Sequence, residues 1–99
     1  MPKKLYKDEI SLILGTPLQQ KVILYLLSAD RNEANVLSIA NAIEATHGSV
    51  SRVSKPLLDY GVFRQRWIGN SRIYTLNNES PITAELRRFF EALNALVEV

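Results

Sequence analysis

Basic and hydroxyl side chains are concentrated in the middle of the sequence, between Thr46 and Gly61. At about 100° per residue in a helix, Ser51, Arg52 and Lys55 fall on one face. A guanidinium can donate two hydrogen bonds to the edge of a guanine, a hydroxyl bonds to bases or phosphates, and an ammonium suits a phosphate. This pattern is typical of a helix that lies in the major groove of a duplex. An amphipathic helix whose polar face meets only water would carry the same pattern, so the neighbouring elements decide.

Signals at both ends define this helix, which we predict over residues 46–60. Thr46 is a good N-cap because its hydroxyl can accept a hydrogen bond from a free backbone N–H, and Gly61 suits the left-handed residue that follows a helix. Pro56 removes the hydrogen bond to the carbonyl of Arg52 and should bend the axis. Ser54 lies beside the apolar face, where a larger apolar residue would pack better. That face is predicted from three- and four-residue spacing and consists of Val50, Val53, Leu57 and Tyr60.

The first helix of the predicted core begins at Thr16-Pro17-Leu18-Gln19 and runs to about Ala29. Threonine stands at the N-cap, proline at the first helical position, and glutamine where it completes a capping box. Residues 22–27 are apolar on all sides, so the helix must be buried on more than one side, and one of these can face a partner subunit. Residues 1–15 form either a short helix packed on the body or a basic N-terminal arm that touches phosphates.

A second short helix is predicted directly before the basic helix. Asp30-Arg31-Asn32-Glu33 is interpreted as a polar loop, and Asn35 can cap a helix from Val36 to about Ala45. Two short helices with a tight connection, the second basic on its open side, make a helix-turn-helix. Residues 16–61 would then form a three-helix core.

A β-hairpin is predicted over residues 62–77. Two β-prone segments, 62–68 and 71–76, flank Gly69-Asn70, which suits a two-residue turn. A basic two-stranded ribbon directly after a helix-turn-helix is a wing, and its tip would be placed to reach phosphates or a minor groove. The alternative is a hairpin that only caps the core.

The register of this hairpin places its side chains. Phe63 should face Leu76, and Trp67 should face Arg72 closely enough for a cation–π contact. The remaining basic side chains of the first strand, at positions 64 and 66, should share the other face.

The last helix is predicted over residues 81–98, with Ser80 as its cap and Pro81 at the first helical position. Its apolar stripe could close over the core of its own chain or pair with its copy across a two-fold axis. We favour pairing, because the helix over residues 16–29 also has more apolar surface than one side can hide. The predicted dimerisation residues are Ile82, Leu86, Phe89, Phe90, Leu93, Leu96 and Val97.

Composition and charge limit the classes of protein to consider. A length of 99 residues, with 46% apolar and 22% charged residues, predicts one globular domain over residues 1–99. The net charge is only +2, but residues 46–77 hold five basic side chains against one acidic, a balance of +4. Positive charge is therefore concentrated on the basic helix and the hairpin, which is the electrostatic footprint of a phosphate-binding surface.

Several kinds of site are not expected. The chain has no cysteine, which excludes disulfides, thiolate metal sites and a cysteine nucleophile. His47 is the only histidine, so a histidine metal site within one subunit is excluded. No Gly-rich phosphate loop and no carboxylate pair near that histidine is present, so we expect no catalysis, no metal and no cofactor. With no apolar run long enough for a signal peptide or a membrane span, we expect a cytoplasmic protein with no membrane partner.

The order helix, helix, basic helix, hairpin, helix resembles the winged helix-turn-helix domain, most closely small prokaryotic regulators of the ArsR and MarR type. The resemblance rests on Leu37-Ser38-Ile39-Ala40, on residues 50–62 and on Tyr74-Thr75-Leu76, and Lys55-Pro56-Leu57 is similar to a run in MarR-type recognition helices. It implies a dimer that binds operator-like DNA with one recognition helix per half-site. The chain departs from these families because it lacks clustered thiolates and has little room for a small-molecule pocket.

The predicted fold is mainly α with a small β-hairpin (α+β), a winged helix-turn-helix with a C-terminal dimerisation helix. The predicted function is sequence-specific binding of double-stranded DNA as a homodimer, in transcriptional regulation. A winged-helix adaptor that binds protein, or an architectural or partition DNA-binding protein, are the alternatives. The predicted DNA-binding residues are Thr46, His47, Ser49, Ser51, Arg52, Lys55, Arg64, Arg66, Asn70, Ser71 and Arg72.

Overall fold

The computed structural model describes residues 5–97, and their side chains from residue 10 onward. Within that range, helix α1 (Leu5–Leu14) precedes α2 (Pro17–Ser28), and a short 3-10 helix (Asp30–Asn32) leads into strand β1 (Glu33–Asn35). Helices α3 (Val36–Ala42) and α4 (His47–Asp59), strands β2 (Phe63–Ile68) and β3 (Ser71–Leu76) and helix α5 (Pro81–Val97) follow. The predicted α+β fold is confirmed. Residues 1–4 and 98, predicted as part of an arm or helix and as a helix end, lie outside the described residues.

The predicted helix caps are present. The Thr16 hydroxyl accepts a hydrogen bond from the Gln19 N–H at 3.0 Å, and the Asn35 side chain accepts one from the Leu37 N–H at 2.7 Å. Each satisfies a backbone donor that the first turn of a helix leaves free. Helix α3 ends at Ala42, three residues before the predicted end, because Glu44 adopts a left-handed φ of 57°.

Gln19 joins three helices through one buried side chain. Its Oε1 accepts a bond from the Gly15 N–H at 2.9 Å, so the capping-box glutamine bonds one residue before the N-cap. Its Nε2 donates to the carbonyl oxygens of Leu12 in α1, at 2.6 Å, and Val53 in α4, at 2.9 Å. Only 3% of Gln19 is exposed. This side chain therefore satisfies backbone groups of α1 and α4 from within α2.

The prediction of a polar loop at residues 30–33 was wrong. The segment forms a 3-10 turn with left-handed residues at Arg31 and Asn32, and Glu33 then begins β1. Strand β1 pairs antiparallel with β3, which gives a three-stranded sheet in the order β1-β3-β2. Asn32 stabilises the turn, because its side-chain amide donates to the carbonyl oxygens of Leu26 and Leu27 at the end of α2.

The hairpin has the predicted register. Phe63 lies opposite Leu76 and Trp67 opposite Arg72. The aromatic rings of Phe63 and Tyr74 are both buried and their centres are 5.8 Å apart. These rings cover one edge of a core to which α2, α3 and α4 contribute aliphatic residues, among them Val22, Ile23, Leu26, Ile39, Val50 and Leu57.

Helix α4 passes into β2 through a tightly bonded joint. The N–H groups of Gly61 and Val62 donate to the carbonyl oxygens of Leu58 and Leu57, at 3.1 and 2.8 Å. This is a Schellman cap, and Gly61 has the left-handed φ of 74° that such a cap requires. The Asn77 side chain donates to the Gly61 carbonyl at 2.8 Å, and so ties the end of the hairpin to the same joint.

Helix α5 packs on the body by its first half only. Thr83 and Leu86 are buried, and Ile82 and Phe90 are half-buried against the core. Other apolar side chains of the same helix are exposed: Phe89, Leu93, Leu96 and Val97. No described helix is long and apolar enough to span a membrane.

Candidate nucleic-acid interface

Helix α4 has a buried side and an open side. Val50, Ser54 and Leu57 are fully buried, so Ser54 lies within the core and not only beside it. Tyr60, predicted on the apolar face, is instead 41% exposed, because the helix ends at Asp59 and leaves it at the C-cap. The opposite side presents His47, Arg52 and Lys55 to solvent.

The N-terminus of α4 is capped by Thr46. Its hydroxyl accepts a bond from the Ser49 N–H at 3.1 Å and donates to the Ser49 hydroxyl at 2.8 Å. Thr46 and Ser49 are thus used in the cap, and both remain at least partly exposed at the helix end where the dipole favours an anion.

The two cations of α4 differ in their partners. Lys55 Nζ lies 2.9 Å from Asp59 Oδ2, and both side chains are exposed. Such surface pairs contribute little to stability, so Lys55 can exchange this partner for a phosphate. Arg52 makes no ion pair with any residue that the structure describes. Its guanidinium therefore keeps its full set of donors for a ligand.

Arg72 connects the hairpin to α4. Its guanidinium donates to the Ser51 hydroxyl, and it lies 5.9 Å from the centre of the Trp67 ring and 5.4 Å from that of Tyr74. The predicted contact between Trp67 and Arg72 is confirmed. Nε of Arg72 is buried and has no hydrogen-bond partner among the described residues. The Arg72 side chain therefore bridges strand β3 and helix α4.

The other hairpin arginines lie on the opposite face of the sheet. Successive strand residues alternate between faces, and Arg72 points toward α4, so Arg64 and Arg66 point away from it. Arg64 pairs with Glu79 at 3.0 Å, and Arg66 pairs with Glu33 at 3.0 Å. Both positive charges are thus compensated within the chain, on a surface separate from the open side of α4.

The tip of the hairpin is exposed and partly apolar. Asn70 is exposed and Ser71 is half-buried. Trp67 and Ile68 are 62% and 56% exposed. By the register, Gln65 and Trp67 share the face of Arg72, whereas Ile68 lies on the other face. The sequence predicted only the contact of Trp67 with Arg72; the bond from Arg72 to Ser51 shows that their shared face is the one that meets α4.

Comparison with known proteins gives the fold. No known family pattern and no curated protein matches the sequence. Among solved structures, the antimony-specific transcriptional repressor AntR is similar with a TM-score of 0.74 and 17% identity, over 98% of this chain and 86% of that one. HlyU from Vibrio cholerae has a TM-score of 0.68 and 21% identity, over 97% of each chain.

A third similar structure is described as a winged helix-turn-helix domain. It is a homodimeric winged helix-turn-helix DNA-binding domain from Mycobacterium bovis, a possible ArsR-family transcriptional regulator. The TM-score is 0.66 at 16% identity, over 99% of this chain and 88% of that one. The chain has the winged helix-turn-helix fold. By position in that fold, α3 and α4 form the helix-turn-helix, α4 corresponds to the helix called the recognition helix, and the β2–β3 hairpin corresponds to the wing.

The predicted DNA-binding residues lie in two groups, one on each side of this winged helix-turn-helix, with two further residues at the tip of the wing. One group lies on or beside the open side of the recognition helix and includes the wing residue that contacts it: Thr46, His47, Ser49, Ser51, Arg52, Lys55 and Arg72. Asn70 and Ser71 lie at the tip of the wing. The second group, Arg64 and Arg66, is on the far face of the wing. The structure therefore does not bring all the predicted residues together on one surface.

The ion pair between Arg66 and Glu33, on the far face of the wing, should make the stability of the fold depend on pH in acid. A hydrogen bond from Arg66, and to a smaller extent one from Thr75, lowers the pKa of Glu33 below its usual value. A depressed pKa stabilises the fold above the unfolded-state pKa, and this contribution is lost as the pH falls through the folded-state value. We therefore expect the free energy of unfolding of Glu33→Gln to fall less than that of wild type between about pH 5 and pH 3.

Urea unfolding of both proteins at several pH values would measure this difference. Glu79→Gln is the matched control, because Glu79 is the exposed partner of Arg64. An equal acid sensitivity of wild type and Glu33→Gln would contradict the prediction.

Proposed function

We propose that the chain is a homodimer that binds double-stranded DNA and regulates transcription. The observation that carries the proposal is the recognition helix, whose back is fixed in the core by Val50 and Leu57 while Arg52 and Lys55 project from its open side. A rigidly held helix with a free guanidinium fits the major groove, where arginine reads guanine by two hydrogen bonds. The similar structures described as transcriptional regulators support this assignment.

Phosphate contacts would supply most of the affinity. Lys55, Thr46 and His47 are exposed and Ser49 is half-buried, and side chains of these types bond to phosphates. Neutralised phosphates release counterions, so binding should weaken steeply with salt. Antimony specificity belongs to AntR, and this chain has no cysteine with which to offer thiolate ligands.

The exposed half of α5 supports the dimer. Phe89 is 50% exposed and Leu93 40%, and Phe89 also borders an open groove of about 440 Å³ between α1 and α5. The groove is lined by Leu14, Pro81, Ile82, Glu85, Leu86 and Phe89. Contiguous apolar surface of this kind marks an interaction site. A second copy would place two recognition helices on one duplex, and the similar domain from Mycobacterium bovis is described as homodimeric.

The double variant Arg52→Ala/Lys55→Ala tests the recognition helix. We expect it to lose most of its affinity for a mixed duplex library, measured by fluorescence anisotropy at two salt concentrations. Removal of the Arg52 base contact alone should cost about 1–3 kcal/mol on the preferred sequence and relax specificity at one position. The plot of log K against log salt has a negative slope. Loss of one phosphate contact at Lys55 should make that slope less steep by about 0.9.

Arg88→Ala is the matched control, because Arg88 is an exposed arginine of α5 paired with Glu85 at 3.3 Å. It should bind as wild type does. If folded wild type fails to bind any duplex at low salt, DNA binding is wrong, and a winged-helix adaptor that binds protein becomes the better assignment. Equal losses on every sequence for Arg52→Ala would instead make Arg52 a phosphate contact.

A further inference from the structure

We infer that Trp67 is the DNA contact of the wing, that its indole packs against the deoxyribose surface of the strand beside the recognition helix, and that Arg72 holds it there. The inference rests on the proposed function and assigns a role to a residue that the charge pattern alone does not single out. It also moves the contact surface of the wing from Arg64 and Arg66 to the opposite face of the hairpin.

Trp67 contacts Arg72, and through that residue it is linked to the recognition helix. Arg72 donates to the Ser51 hydroxyl on the recognition helix and covers part of the Trp67 ring, 5.9 Å from its centre. Ser51, Arg72 and Trp67 therefore form a continuous strip from the recognition helix to the end of β2. A duplex that meets the open side of α4 would extend along this strip.

The chemistry of the strip fits a nucleic-acid strand. Trp67 remains 62% exposed, although it is a large apolar residue next to a positive charge. Apolar side chains in wings and arms pack against sugars and base edges of a groove. A tryptophan already restrained by a neighbour loses little conformational freedom on binding.

The far face of the wing lacks these properties. Arg64 and Arg66 are 62% and 53% exposed as side chains, but each is paired with a carboxylate. The two arginines are balanced by two carboxylates, so this face offers no uncompensated positive charge, whereas Arg72 on the opposite face has no carboxylate partner among the described residues. The two faces of the hairpin therefore differ in their suitability for DNA, and the favourable one carries Trp67.

Trp67 is the only tryptophan in the chain, so its emission reports on this contact directly. Unlabelled mixed-sequence duplex is added to wild type at low salt, and Trp67 emission and its quenching by acrylamide are followed. Anisotropy of a labelled duplex records binding in parallel. We expect DNA to change the emission and to lower the acrylamide quenching constant at the same concentrations that raise the anisotropy.

Variants then measure the energetic role. Trp67→Ala should weaken binding about tenfold on every sequence, as expected for one aromatic contact with the strand. Trp67→Phe should retain most of the affinity. Ile68→Ala is the matched control, because Ile68 is a similarly exposed apolar residue, 56%, on the opposite face of the wing. It should bind as wild type does.

The role of Arg72 is separated from a phosphate contact by its salt dependence. As a positioning residue, Arg72→Gln should weaken binding and raise the acrylamide quenching of Trp67 in the free protein, with an unchanged slope of log K against log salt. A slope that is less steep by about 0.9 would show that Arg72 contacts a phosphate and would overturn this part of the inference.

The outcomes separate the inference from the proposed function. If the anisotropy rises while Trp67 emission and quenching stay constant, the chain binds DNA but Trp67 does not contact it. Loss of affinity in Ile68→Ala equal to that in Trp67→Ala would also overturn the inference. If no anisotropy change occurs with a folded protein, the proposed function itself fails.

Discussion

Replacement of Leu93 by glutamate is expected to give a monomer and to lower the affinity for a duplex with two half-sites by about a hundredfold or more. Leu93 lies on the exposed apolar stripe of α5, one turn beyond Phe89. A charge buried there in a dimer has no partner and strongly opposes association. In the monomer the side chain stays in water, so the fold should be retained.

The loss of DNA affinity follows from the geometry of two linked sites. In a dimer, binding of one recognition helix holds the second near its half-site at a high effective concentration, and a monomer loses this advantage. Sedimentation velocity would give the oligomeric state, and anisotropy would give the affinity for duplexes with one or two half-sites. The single-site affinity should change little.

Ala95→Glu is the matched control for this prediction. It adds the same charge to the same helix, but two residues further along and so about 200° around the axis. Ala95 is exposed and does not belong to the apolar stripe. If Leu93→Glu stays dimeric, or if Ala95→Glu becomes monomeric, the subunits contact each other through another surface.

Gln19→Leu is expected to lower the free energy of unfolding by about 2–4 kcal/mol, because a buried backbone group left without a partner costs about 1–3 kcal/mol, while the groups of the exposed residues Leu12 and Gly15 can partly turn to water. Leucine has a similar volume but can neither donate to the carbonyl oxygens of Leu12 and Val53 nor accept from the Gly15 N–H. In a domain of this size, 1 kcal/mol corresponds to a shift in Tm of about 4–8 °C.

The neighbouring glutamine provides a control of the same chemistry. Gln20 is exposed and donates one bond, to the Leu14 carbonyl at 2.9 Å. Gln20→Leu should change the free energy of unfolding by no more than about 0.5 kcal/mol. Urea unfolding of both variants would measure the difference, and equal effects would show that the three bonds of Gln19 contribute no more than the single exposed bond of Gln20.

Features governed by neighbouring residues were predictable from the sequence. The caps at Thr16, Asn35 and Thr46 depend on one side chain and the next turn of helix, and each lies where predicted. The register of the hairpin follows from its two-residue turn at Gly69-Asn70, because loop length fixes which residues face each other. The order of these local elements was enough to predict the winged helix-turn-helix fold.

Features that depend on distant parts of the chain were not predictable in this way. Strand β1 has three residues, too few to show an alternating pattern, and its partner is β3. The ion pair of Arg66 with Glu33 and the bond from Arg72 to Ser51 likewise join separate elements. The hairpin register already placed Arg64 and Arg66 on the face opposite Arg72, but which of the two faces meets α4 depends on contacts between these separate elements.

The bonded joint between α4 and the wing has a consequence for the entropy of binding. The Schellman cap at Gly61, the Asn77 bond to the same residue and the Arg72 bond to Ser51 hold helix and hairpin at one angle before any ligand arrives. A preorganised surface of this kind loses little backbone freedom on association. The ordering cost at this site therefore falls mainly on long exposed side chains such as Arg52 and Lys55.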